Sequence, residues 1–156
     1  MKRLSFRNLR ILLVILTIGL CLPHGQTFAQ TSSPAASAPN QRHQVIFQFT
    51  SEGEEQATSL LNNIENIQQA LGADRVQIEV AAHGKGLSLL TKESSVAARL
   101  EKIAGTGVVF AACENTMKRK KIGKEQLLPS ATTVDSGVAE VVRKQAQGWA
   151  YIKSGD

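Results

Sequence analysis

The run Val108-Val109-Phe110-Ala111-Ala112-Cys113-Glu114-Asn115-Thr116-Met117 decides how this chain is read. Its first five residues are apolar throughout, the pattern of a central parallel strand covered on both faces. The polar residues that follow suit a helix start, at Cys113 or Glu114, so Cys113 falls at a strand-to-helix junction. A cysteine placed there sits beside backbone N–H groups without intrahelical partners and at the positive end of the helix dipole. Both favour thiolate over thiol. Lys118, Arg119, Lys120 and Lys121 add positive potential and Glu114 opposes it. The expectation is a thiol more acidic than the ordinary value of about 8.5. The competing reading is a small core hydrophobe, because free cysteine is among the most buried residue types.

Outward from this run, strand and helix signals alternate. Val45 to Phe49 is a short β-prone stretch, and Thr50 to Gly53 suits a turn. Ala57, Leu60, Leu61, Ile64, Ile67 and Leu71 recur at helical spacing up to Gly72. Val76, Ile78 and Val80 alternate within a second strand, Arg75 to Ala82, which ends in the loop His83-Gly84-Lys85-Gly86. Leu87, Leu89 and Leu90 form an apolar stretch whose state the pattern leaves open. A helix over Val96 to Ala104 precedes the Cys113 strand. A fourth strand over Ala131 to Val134, a helix marked by Val138, Val141, Val142 and Ala146, and a terminal strand at Trp149 to Ile152 complete the order. Trp149 and Tyr151 are expected to pack at that last strand. Such alternation predicts a parallel sheet covered on both sides by helices.

The N-terminal segment belongs to targeting rather than to this domain. Lys2, Arg3, Arg7 and Arg10 precede the apolar run Ile11 to Leu22, and Thr27-Phe28-Ala29 places small residues where a signal peptidase reads. The apolar run is too short to span a bilayer as a helix. We therefore assign residues 1–29 as a signal peptide cleaved after Ala29, residues 30–43 as a disordered leader and residues 44–153 as one α/β domain. The chain carries 18 lysines and arginines against 13 acids, a net charge of +5. Cleavage removes four cations and no acid, which leaves 14 against 13. The apparent basicity is thus a targeting signal and gives no argument for nucleic acid. Cys21 leaves as well, so Cys113 is the sole thiol of the mature chain and no internal disulfide can form.

In an open parallel sheet, sites form beyond the carboxyl ends of the strands. Thr50 to Gly53, His83 to Gly86 and Cys113 to Thr116 are expected to reach that edge. His83 suits a base, a metal ligand or a hydrogen-bond anchor, but metal-ligand spacing is absent, and no metal or cofactor is called for. Gly84 and Gly86 allow close backbone approach and a small anion nest. The run Lys118 to Lys121 lacks interleaved aromatics and reads as a solvated face or an oligomer rim. No Ser-His-Asp arrangement, paired catalytic carboxylates or nucleotide loop is present.

Several segments together resemble the DsrE/DsrF-like family: Val80 to Leu87, Phe110 to Met117, Leu127-Leu128-Pro129, Val134 to Glu140 and Gln145 to Ile152. The resemblance spans about Gln44 to Lys153. It implies a three-layer α/β/α domain on a mainly parallel five-stranded sheet, assembled as a trimer or hexamer. It also implies that Cys113 carries sulfur as a persulfide, with His83, Gly84, Gly86, Asn115 and Thr116 lining the sulfur-binding pocket. The signal peptide separates this chain from relays that feed cytoplasmic tRNA modification. The expectation is an exported, periplasmic sulfur-binding or sulfur-carrier protein, free of the membrane once cleaved, exchanging sulfur with a donor or acceptor protein. An oligomeric binding module with a structural Cys113 is the alternative, and a redox enzyme forming an intermolecular disulfide is a third.

Overall fold

The computed structural model describes residues 42–155. The signal peptide and most of the assigned leader lie outside the described residues, although His43 already belongs to the first strand. The elements are β1 (His43–Phe49), α1 (Glu54–Leu71), β2 (Val76–Ala82), α2 (Ala97–Ala104), β3 (Val109–Cys113), α3 (Glu114–Lys120), β4 (Ala131–Val134), α4 (Gly137–Ala146) and β5 (Ala150–Ser154). Short 3-10 turns at Gly84–Leu90 and Lys124–Gln126 complete them. The sheet order is β4-β3-β2-β1-β5 and every neighbouring pair is parallel. The expected α/β/α domain on a five-stranded sheet is what the chain forms.

Strand alternation assigns the two faces. Val45, Phe47, Phe49, Ile78, Val80, Phe110 and Ala112 point to one side, where they form the main core with Leu60, Leu61 and Ile64 of α1 and Leu100 and Ile103 of α2. Each large side chain buried there contributes about 1.5–3 kcal/mol relative to exposure. The 3-10 turn after β2 resolves the stretch that pattern left open: Leu87, Leu89 and Leu90 all enter this core. Their spacing fits neither strand nor α-helix because the turn is tighter than both.

The other face is covered by α4 and is smaller, with Ile46, Ala81, Val141 and Trp149 in contact. Glu79 is buried on this side in mid-strand, 5% exposed, and its carboxylate meets Lys144 Nζ at 2.7 Å. Lys144 also stands 4.2 Å from the centre of the Trp149 ring and 3.7 Å from Glu140. Burial pushes the Glu79 carboxyl above its ordinary range, and Lys144 pulls against that shift. Trp149 is buried just before β5, whereas Tyr151 is 39% exposed, so only the first of the two packs as expected. Among the described residues no helix is long and apolar enough to cross a membrane.

Candidate functional site

Cys113 is both the last residue of β3 and the N-cap of α3. Its backbone is extended and closes the strand, while α3 starts at Glu114 without a side-chain cap, and the Asn115 N–H of its first turn is given to the Asp135 carbonyl at 3.2 Å. Gly137, the first residue of α4, arrives at the same point. A side chain there would begin 3.0 Å from His83 Cβ and 3.3 Å from Cys113 Cβ, so glycine lets α4 start between these two residues without pushing either aside.

The backbone N–H groups of Gly137, Thr116 and Asn115 and the Thr116 hydroxyl surround the Cys113 sulfur and favour its charged form, although the Asn115 N–H also reaches the Asp135 carbonyl at 3.2 Å. Burial is the largest single influence and raises the thiol pKa, but the four donors together bring it below its ordinary value. Two helix starts and one hydroxyl thus converge on a single sulfur. The Thr116 proton is directed there because its oxygen is already an acceptor, from Gly84 N at 3.1 Å and from Arg119 Nη2 at 3.4 Å. Thr116 itself is 1% exposed, so these bonds are shielded from competing water.

The loop after β2 holds this arrangement from the other side. Gly84 adopts a positive φ of 60° and gives its N–H to Thr116. Gly86 is buried, where an added side chain would begin 2.5 Å from the Phe49 carbonyl oxygen. It packs the loop onto the end of β1 and does not line the sulfur cleft, while Gly84 acts through Thr116. His83 faces the cleft, and its Nε2 lies 2.8 Å from Gln48 Nε2. Gln48 Oε1 takes the Tyr151 hydroxyl proton at 2.6 Å, so the Gln48 amide N–H points at His83. The ring accepts at Nε2 and carries its own proton at Nδ1. Burial, assisted by the Arg119 charge, holds the His83 pKa below its ordinary range. Of the three roles open to His83, hydrogen-bond anchor is the one these contacts support, and among the described residues no His, Cys, Asp and Glu cluster could hold a metal.

Cys113 lies at the wall of an open cleft of about 530 Å³. His83, Asn115 and Thr116 line it as the sequence suggested, together with Lys118, Arg119, Ser136 and Val138. The sequence reading missed Gly137, Ser136, Gln48 and Tyr151. Asp135-Ser136-Gly137 before an apolar helix pattern was a usable signal for a second helix start, and Ser136 does cap α4, accepting from Ala139 N at 3.4 Å. The Gln48 and Tyr151 pair follows only from strand order, which sequence pattern did not supply. Thr50 to Gly53 reach the carboxyl edge but miss this cleft, since Ser51 and Gly53 open onto a separate one of about 260 Å³ beside Ser88 and Ser94.

The family model described as the DsrE/DsrF-like family matches residues 43–154, which include every element of this fold. The chain belongs to the DsrE/DsrF-like family. Among solved structures, it is similar to a protein of unknown function, MTH1491 from Methanobacterium thermoautotrophicum, at 33% identity and a TM-score of 0.68. That likeness covers 71% of this chain and 98% of the other. It also shares its fold with the ychN protein of E. coli, at 12% identity and a TM-score of 0.54, over 72% of this chain and 98% of that one. No curated protein matches the chain. Family membership associates this DsrE/DsrF-like chain with sulfur-relay chemistry in general.

Proposed function

We propose that the mature chain is a periplasmic sulfur-binding or sulfur-carrier protein in which Cys113 takes up sulfane sulfur and passes it to a partner. The observation that carries this reading is the placement of Cys113 at a cleft wall where β3 ends and α3 and α4 both begin, among N–H groups that hold its thiol below the ordinary range. A thiolate attacks a sulfane sulfur, and the resulting persulfide is handed on by thiol exchange. Uptake in the mature protein is read by intact mass spectrometry after incubation with polysulfide. The reading expects the added mass of sulfur on wild-type protein and none on Cys113→Ala. An unmodified wild-type Cys113 contradicts it.

Export is supported by the residue pattern of 1–29 and predicts a mature protein that begins at Gln30 in a periplasmic fraction. Homo-oligomer assembly, as a trimer or hexamer, is supported by Val138 and Val142, 53% and 60% exposed on one side of α4, with Tyr151 on the same sheet face. One observation favours the second reading, an interaction module with a structural thiol: Cys113 is only 4% exposed. Under that reading, native Cys113 resists a thiol reagent and Cys113→Ala leaves partner binding intact.

A further inference from the structure

Lys118 and Arg119 are the two cations on the rim of the Cys113 cleft, and no carboxylate lines it. The two acids nearest in sequence are engaged elsewhere. Asp135 is bound by Arg143 at 2.6 Å, and Glu114 contacts Thr133 at 2.9 Å and Lys124 at 3.6 Å. Among the described residues no salt bridge reaches Lys118 or Arg119, and Arg119 is fixed toward the site by its contact with the Thr116 hydroxyl oxygen. Its charge is felt by His83, whose protonation it opposes. The cleft is therefore a positive concavity built around the buried Cys113 sulfur.

We propose that Lys118 and Arg119 are specificity-determining residues that select an anionic sulfane-sulfur donor of the thiosulfate class. This rests on the sulfur-acceptor reading above and names its substrate class. The Cys113 thiolate attacks the outer sulfur of thiosulfate, forming a new S–S bond to Sγ. The bond between the two thiosulfate sulfurs breaks, and its electron pair leaves with sulfite. The terminal sulfur on Cys113 retains one negative charge, sulfite carries two, and no oxidant or proton is consumed. Thiolate and thiosulfate bring three negative charges together, and the repulsion would slow the encounter unless cations stood on the side of the donor. A donor reaching Cys113 through the cleft brings its sulfite portion to where Lys118 and Arg119 stand.

The test compares the mature protein with the double variant Lys118→Gln, Arg119→Gln. Alkylation rates of Cys113 by anionic iodoacetate and neutral iodoacetamide are measured at one pH and low salt. Their ratio cancels any change in thiolate fraction and reads the cleft potential alone. The proposal expects the ratio to fall at least fivefold in the variant and to fall in wild type as salt is raised. Sulfur loading from thiosulfate should slow by tenfold or more in the variant, while reaction with a neutral organic trisulfide, which displaces an organic thiolate or persulfide and leaves a mixed polysulfide or disulfide adduct on Cys113, stays within twofold. An unchanged ratio, or equal slowing with both donors, overturns the selection by charge. Wild-type protein that loads from the trisulfide and not from thiosulfate also overturns it and leaves the sulfur-acceptor reading intact. Wild-type protein that loads from neither removes the acceptor reading and this proposal with it.

Discussion

At Thr116 one hydroxyl joins three parts of the site. Its oxygen accepts from the Gly84 N–H and the Arg119 guanidinium, and its proton goes to Cys113. Thr116→Val keeps the shape and removes all three bonds. The midpoint of Cys113 alkylation should move to higher pH, because one donor to the charged form is lost. The part-buried Gly84 N–H is also left without this partner, which costs about 1 kcal/mol in unfolding free energy, the low end of the range for a lost partner. Thr116→Ser should restore both. A midpoint unchanged in Thr116→Val would mean that backbone donors alone set the thiol. Thr116 could be named from the sequence as part of the pocket, but its role could not, since the Gly84 contact joins residues 32 positions apart.

At the level of elements, the site exists because α3 and α4 both begin beside the end of β3. Gly137 makes this close approach possible. Gly137→Ala places a methyl 3.0 Å from His83 Cβ and 3.1 Å from His83 Cδ2, closer than either can accept without moving. Overpacking of this kind costs about 1–3 kcal/mol, and the displaced N–H should also raise the thiol pKa. Calorimetry together with the alkylation profile checks both effects, and a variant that matched wild type in each would show that the close start of α4 is dispensable. The strand-helix alternation and the place of Cys113 were legible, because apolar strands and amphipathic helices leave opposite periodicities. The tight turn over Gly84–Leu90 was not, since its three leucines follow neither period. The run Lys118 to Lys121, read as a solvated face or an oligomer rim, is exposed, but that Lys118 and Arg119 also line the cleft follows only from the packing of α3 against the loop after β2.

Across the whole molecule, the two faces of the sheet behave differently. The α4 face holds the Glu79 and Lys144 pair within a small apolar cluster. The raised Glu79 pKa means that the folded chain keeps a proton which the unfolded chain releases near 4.5. Stability contributed by this group is present below that pH and declines as pH rises through the raised folded value. Glu79→Gln cannot titrate, so it should flatten this part of the curve of unfolding free energy against pH. A curve with the wild-type slope would assign that slope to other groups. Lys144→Met leaves Glu79 buried without its partner and should cost on the order of 3 kcal/mol at neutral pH. The same face exposes Val138 and Val142, and Val142→Glu should shift sedimentation of the mature protein from oligomer to monomer with the fold intact. A wild-type protein that already sediments as a monomer would contradict assembly through this face.

The central claim is that Cys113 is a reactive thiol at a cleft wall, more acidic than an ordinary cysteine, rather than an inert core thiol. The rate of Cys113 alkylation against pH in the native mature protein tests it most directly. The account predicts reaction without unfolding, with a midpoint below the ordinary thiol value. A Cys113 that stays unmodified until the protein is denatured, or that reacts with a midpoint above that value, would contradict it.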